Sequence, residues 1–96
     1  MKPFLWDQDK NESLKRERNI SFEEIVFYLE QGGLLDRVKH PNPDKYQKQE
    51  MFIVRVGDYV YLVPFVENEE KIFLKTIIPS RKATRDYLRK DGEYET

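Results

Sequence analysis

The residues with the most chemical content stand near the end of the chain. From Arg81 to Lys90 there are five cations, Arg81, Lys82, Arg85, Arg89 and Lys90, against one anion, Asp86. Asp91 to Thr96 then carry Asp91, Glu93 and Glu95 and no cation. Arg81, Arg85 and Arg89 recur at four-residue spacing, so on a helix they share a side and repel by roughly 0.2–0.5 kcal/mol per pair. Arg81 and Lys82 would occupy the first turn, where the helix dipole disfavours positive charge. A helix shaped for stability alone would carry Asp or Glu there. Cationic side chains, helix amides and the hydroxyl of Ser80 converging on one end suit a phosphate. The competing reading is a solvated charged face, partly neutralised by the acidic tail.

Other candidates are scattered. His40 is the one histidine, the residue type best suited to shuttle protons near neutral pH, which makes it the natural candidate for that role. It stands beside Lys39 at the edge of a loop with two prolines, where a histidine also serves simply to end a strand. Tyr46, Tyr59, Tyr61 and Tyr87 could stack bases or donate hydrogen bonds. Tyr59 and Tyr61 alternate in phase with Val63 and Phe65, which points to sheet packing. Arg37, Arg55 and Lys75 fall in predicted strands and, if exposed, add positive charge to one sheet face; unpaired burial would cost too much.

Several chemistries find no foothold. One histidine, no cysteine and carboxylates without ligand spacing give a metal no site. No G-x-S-x-G elbow surrounds any serine, and four glycines, two of them adjacent, make neither a P-loop nor a dinucleotide fingerprint. No metal and no cofactor are expected.

These side chains need elements to hold them. Phe4–Leu5–Trp6 reads as a short strand that stops at Asp7, a suitable N-cap. Residues 8–18 form a polar helix docked through Trp6 and Leu14, broken at Asn19. Ser21 and Glu24 make the S-x-x-E capping box. Phe22, Ile25, Val26 and Leu29 then follow as one helical stripe, ended by Gly32–Gly33. Residues 34–39 predict a strand closed by the turn residues His40–Pro41–Asn42–Pro43–Asp44. Residues 51–56 and 59–66 are β-branched and aromatic runs around Gly57–Asp58, a two-residue hairpin signal. Asn68–Glu69–Glu70 turns into a third strand over 72–78, completing a meander. Pro64 predicts a bulge or an exposed stretch within its strand. A last helix starts near Ser80 and fades at Gly92, with Ala83, Thr84, Tyr87 and Leu88 on its apolar side. The expected class is α+β: an antiparallel sheet with two N-terminal helices and one C-terminal helix.

At 96 residues the chain supports a single domain, 1–96. Its 36% charged and 39% hydrophobic residues suit a small globule with a solvated surface, not a disordered chain, because the apolar residues cluster. A net charge of −1 predicts no bulk attraction to nucleic acid, so any such binding must come from local charge. No apolar run approaches the roughly 20 residues that span a bilayer. With no cysteine and no apolar leader, a cytoplasmic location is expected.

Two segments carry a family resemblance. Trp6–Asp7–Gln8–Asp9–Lys10–Asn11, followed by Ile20–Ser21–Phe22–Glu23–Glu24, is similar to the opening of the BrnT toxins of type II toxin–antitoxin systems. Ile77–Ile78–Pro79–Ser80–Arg81–Lys82–Ala83–Thr84–Arg85–Asp86–Tyr87 resembles their closing motif. The resemblance implies a RelE-like fold and metal-independent endoribonuclease activity on an RNA substrate. It also implies neutralisation by a ribbon-helix-helix antitoxin in a 2:2 complex, with DNA bound only through that antitoxin and no membrane partner. Of the family's functional cations, the motif carries over Arg81, Lys82 and Arg85. Residue type alone adds His40 to the catalytic candidates, and Arg89, Lys39 and Lys75 to those for RNA binding. The chain departs from the family pattern at Thr76, at Pro79–Ser80 and over Gln49–Ile53, where no cation stands. Those departures support an alternative function, a non-catalytic module that holds an antitoxin and tunes operon repression.

Overall fold

The structure, a computed structural model, describes residues 2–42, 44–45 and 49–88. In chain order these form β1 (Phe4–Trp6), α1 (Gln8–Arg18), α2 (Phe22–Glu30), β2 (Leu34–Lys39), β3 (Glu50–Val56), β4 (Tyr59–Glu67), β5 (Ile72–Leu74), β6 (Ile78–Pro79) and α3 (Arg81–Leu88). This is the expected α+β arrangement, with two helices before the main sheet and one after it. The sheet runs β1-β5-β4-β3-β2, with β6 pairing β4. Every described pairing is antiparallel except that of β1 with β5.

The helices start where their caps dictate. Asp7 accepts from the amide of Lys10 ahead of α1, and Asn19 ends that helix in the left-handed region at φ 55°. Ser21 and Glu24 satisfy each other's backbone amides as a capping box. Behind that box Phe22, Ile25 and Leu29 are buried. Gly32, at φ +85°, lets the chain leave α2. Gly33 then passes so close to β3 that a Cβ would lie 2.8 Å from the carbonyl oxygens of Arg55 and Tyr28.

One interaction beyond the periodic pattern locks α1 to α2. Asn11 is wholly buried. Its Oδ1 accepts from the Phe22 amide at 2.8 Å, and its Nδ2 donates to Glu23 Oε1 at 2.8 Å. A polar side chain thus replaces water for an amide at the start of α2, inside the core. The same bond holds the Glu23 carboxyl below its ordinary pKa, the Asn11 amide favouring the charged form.

Strand alternation divides the side chains between two cores. On one face Phe52, Val54, Val63, Phe65, Ile72, Leu74 and Ile77 pack against α1 and α2. Phe52 and Phe65 stack there with ring centroids 3.9 Å apart, and Trp6 stacks on Phe22 at 5.6 Å. On the other face a smaller cluster of Ile53, Val60 and Ala83, with Val38, Leu62 and Leu88, seats α3.

Two sequence expectations need correction. Pro64 makes no bulge and is not exposed: β3 and β4 pair without a shift from Glu50↔Phe65 to Val56↔Tyr59, and Pro64 is buried. Its carbonyl accepts from the Lys75 amide at 2.8 Å. The amide and carbonyl of one strand residue point the same way, so the donor that proline lacks would have faced the β5–β6 side. The neighbouring strand is broken there. Hence the second correction: the single strand expected over 72–78 is two short ones, β5 and β6, with residues 75–77 between them. The register shift lies instead in β2, between Leu34 and Asp36.

Replacing Asn11 by Leu strands the Phe22 amide in the core and is expected to lower stability by about 1–3 kcal/mol. Urea unfolding measures this, and an unchanged midpoint would mean the bond contributes nothing.

Candidate functional site

α3 is fixed to β4 by a short hydrogen-bonded relay. Ser80 donates its amide to the Val60 carbonyl at 3.1 Å, while its Oγ accepts from the Ala83 amide at 3.0 Å. Thr84, also buried, accepts from the Val60 amide at 2.9 Å and donates to the Ser80 carbonyl at 2.7 Å. Every polar atom at this junction therefore has a partner, and the helix cannot roll without breaking one. At its last turn the Tyr87 hydroxyl donates to Asp36 Oδ2 at 2.9 Å and Leu88 packs near Val38. The helix thus runs across the sheet from β4 to β2. The Asp36 carboxylate raises the pKa of the Tyr87 phenol, keeping it a donor.

This docking turns the basic side outward. Arg81 is exposed and has no ion-pair partner among the described residues. Lys82 and Arg85 are largely exposed, at 78% and 55%, and both reach Asp86, Lys82 at 2.8 Å and Arg85 at 3.6 Å. Lys82, and then Arg85, hold the Asp86 carboxyl below its ordinary pKa. Such exposed intrahelical pairs bind weakly, so an incoming phosphate can compete for the cations. The amide of Ala83 is already taken by the Ser80 cap.

The structure does not gather all the sequence candidates around this helix. Lys39 pairs in register with Glu50, in phase with Arg37, and so stands on the sheet face opposite α3. His40 lies past the end of β2, toward the last turn of α3 and away from Arg81. Its Nδ1 accepts from the Asn42 amide at 3.2 Å, and its amide bonds the Gln49 carbonyl, so it closes the strand as a loop histidine does. Six residues of helix rise, about 9 Å, separate Arg81 from the β2 end of the helix. Lys75 shares the face of α3 but lies beside Phe73, outside any strand. Arg37, Arg55 and Lys75 do not combine on one face, because Arg37 stands among the α1–α2 side chains and Arg55 curls back onto the Gly57 carbonyl at 2.9 Å. Of the tyrosines, Tyr59 and Tyr61 meet edge to face at 5.6 Å, on the strand face predicted for them. Tyr46, Arg89 and Lys90 lie outside the described residues.

A second polar cluster escaped the sequence reading. Arg37 donates from Nε to Glu50 Oε1, and from Nη2 to Glu67 Oε1 at 2.8 Å; Glu67 also accepts from Lys2 at 2.7 Å. The guanidinium lies 5.0 Å from the Phe65 ring centroid. Glu50 and Glu67 stand 13 and 30 residues from Arg37, so no sequence spacing links them. Two adjoining cavities of about 390 and 330 Å³ share Lys2, Arg37 and Glu67. Their walls contain none of Arg81, Lys82, Arg85 or His40. The Arg37 charge is spent on internal carboxylates, which keep its pKa above the ordinary value, chiefly through Glu50. No group of three or more His, Cys, Asp or Glu among the described residues is placed to hold a metal.

Two predictions test these clusters. Thr84→Val keeps the shape but leaves the Val60 amide unsatisfied, an expected loss of about 1–3 kcal/mol by urea unfolding; a neutral result would remove the relay from α3 docking. Lys2, followed by Arg37, lowers the Glu67 pKa, so its contribution to stability is present above the ordinary carboxylate value and is lost as pH falls through the depressed one. The stability gap between the parent and Glu67→Gln should therefore close on acidification. Parallel pH curves for the two proteins would contradict the assignment. Compared with known proteins, the chain matches no family model, no curated protein and no solved structure.

Proposed function

We propose that this chain is the toxin of a type II toxin–antitoxin pair, a cytoplasmic, metal-independent endoribonuclease of RelE-like fold. A ribbon-helix-helix antitoxin would neutralise it in a 2:2 complex, with operator DNA bound through the antitoxin. The observation that carries this reading is the outward, rigidly anchored basic side of α3, with Arg81 unpaired among the described residues and Lys82 and Arg85 held only by a surface aspartate. No helix among the described residues is long and apolar enough to cross a membrane, in keeping with a role that needs none.

In the proposed reaction an RNA 2′-oxygen attacks the adjacent phosphorus while the bond from phosphorus to the 5′-oxygen breaks. The 2′-hydroxyl gives up its proton, the 5′-oxygen gains one, and the products are a 2′,3′-cyclic phosphate and a 5′-hydroxyl. Arg81 and Arg85 offset the negative charge that grows on the phosphoryl oxygens. Lys82 is the proton carrier that belongs to the same helix face. This version assigns no step to His40, Lys39 or Lys75.

The alternative, a non-catalytic antitoxin-binding module, draws on a different observation. Arg37 is neutralised by Glu50 and Glu67, and Thr76 stands where the resembled family usually has an arginine. Induced expression separates the two readings. Growth arrest and RNA cleavage persisting in a metal chelator support the nuclease. Arg81→Ala and Arg85→Ala should each slow cleavage by about 10²-fold or more while keeping the circular dichroism of the parent. If both variants fold and arrest growth as strongly as the parent, the catalytic role of α3 is wrong. A harmless parent that binds the product of its neighbouring gene would establish the module.

A further inference from the structure

The sheet face that carries α3 is only partly covered by it. α3 seats on Ile53, Val60 and Leu62, toward β3 and β4. Toward the β1 edge no element of the described residues covers the same face. Phe4 and Trp6 turn into the large core, so Leu5 between them points the other way and is 43% exposed. Leu5 stands in register with Phe73 of β5, and Phe73 with Val66 of β4. Phe73 and Val66 are half-buried. These three side chains form an apolar row across three strands.

Two lysines flank that row. Lys71 and Lys75 lie two residues to either side of Phe73, and both are exposed. Lys75 Nζ sits 5.4 Å from the centroid of the Phe73 ring. Neither lysine has a carboxylate within 4.0 Å among the described residues, whereas Lys2, Lys15, Arg37, Lys82 and Arg85 each have one. A concavity of about 440 Å³ there is lined by Val66, Glu67, Asn68, Lys71, Phe73 and Lys75.

We propose that this row is a docking surface for an acidic, amphipathic segment of a protein partner. The apolar row takes the partner's apolar side chains, and Lys71 and Lys75 select carboxylates beside them, since the one acid sharing the concavity, Glu67, is bound to Lys2 and Arg37 and no other acid among the described residues answers their charge. Two features favour a polypeptide over RNA. Leu5 and Val66 are aliphatic and offer nothing to the polar edge of a base. The face of Phe73 is already topped by the Lys75 ammonium, which suits a carboxylate placed above it better than a stacked base. In the toxin reading this is an anchor for the neutralising antitoxin; the inference rests on that reading for the identity of the partner and not for the chemistry of the surface.

The test uses the full-length chain and backbone amide resonances. The probes are a synthetic helical peptide with leucines on one face and glutamates on the other, the same peptide with lysines for glutamates, and a single-stranded oligouridylate. The acidic peptide should shift the amides of Leu5, Val66 and Phe73, and the lysine version should not. Lys71→Gln with Lys75→Gln, at exposed positions that leave the fold intact, should weaken binding at least tenfold. The proposal is overturned if the oligouridylate moves these amides and the acidic peptide does not, or if the acidic peptide acts elsewhere or not at all. It is also overturned if Glu93→Gln with Glu95→Gln alone moves them, because the chain's own acidic end would then be the occupant. The ribonuclease reading can fail through the α3 variants without altering any of these results.

Discussion

A strand residue that cannot donate a hydrogen bond governs much of this fold. β4 is paired with β3 from Tyr59 to Phe65 on one side, and on the other side its ladder is interrupted at Pro64. With no amide there, the neighbouring chain gains nothing by remaining a strand opposite that position. It closes β5 with the bond from the Lys75 amide to the Pro64 carbonyl, buries Ile77 in the large core, and resumes pairing as β6 opposite Leu62 and Tyr61. The chain then enters α3 at Val60, where Ser80 and Thr84 tie the helix down. The position of the basic helix on the sheet thus follows from one missing donor and three hydrogen bonds near it.

The same strand keeps the two faces of the sheet chemically distinct. Val63 and Phe65 belong to the large core with α1 and α2, while Val60 and Leu62 belong to the small one beneath α3. On the α1–α2 face the cation of the Arg37 cluster is matched by acids from other strands, and its guanidinium is held over aromatic rings. On the α3 face the cations are matched by a neighbour on their own helix, as Lys82 and Arg85 are by Asp86, or by no acid among the described residues, as with Arg81, Lys71 and Lys75. Cations already closed into a cross-strand network have little left for a ligand. The α3 face is where charge remains available, although the net charge of the whole chain is close to zero.

Local order in the sequence determined the elements. The Ser21–Glu24 capping box, the Phe22–Ile25–Leu29 stripe, the Gly57–Asp58 turn and the Ser80 cap each act within a few residues. Neighbouring side chains and backbone amides settle them without reference to distant parts of the chain. The basic face of α3 was legible for the same reason, being a matter of spacing along one helix. Pro64 was recognised as exceptional, but its effect was misassigned to its own strand. Only the pairing partner could show which side its missing amide faced.

Tertiary structure decided what depends on residues far apart in the chain. Asn11 became a cap for the Phe22 amide because two helices cross there, and a polar residue in a polar helix gives no sign of being buried. Arg37 met Glu50 and Glu67 through strand register, which also turned Lys39 away from α3 and left His40 at the far end of it. Periodicity fixes which face of its own element a side chain occupies. Which faces then meet depends on chain crossings and on the long-range pairing of strands, and no local spacing encodes those.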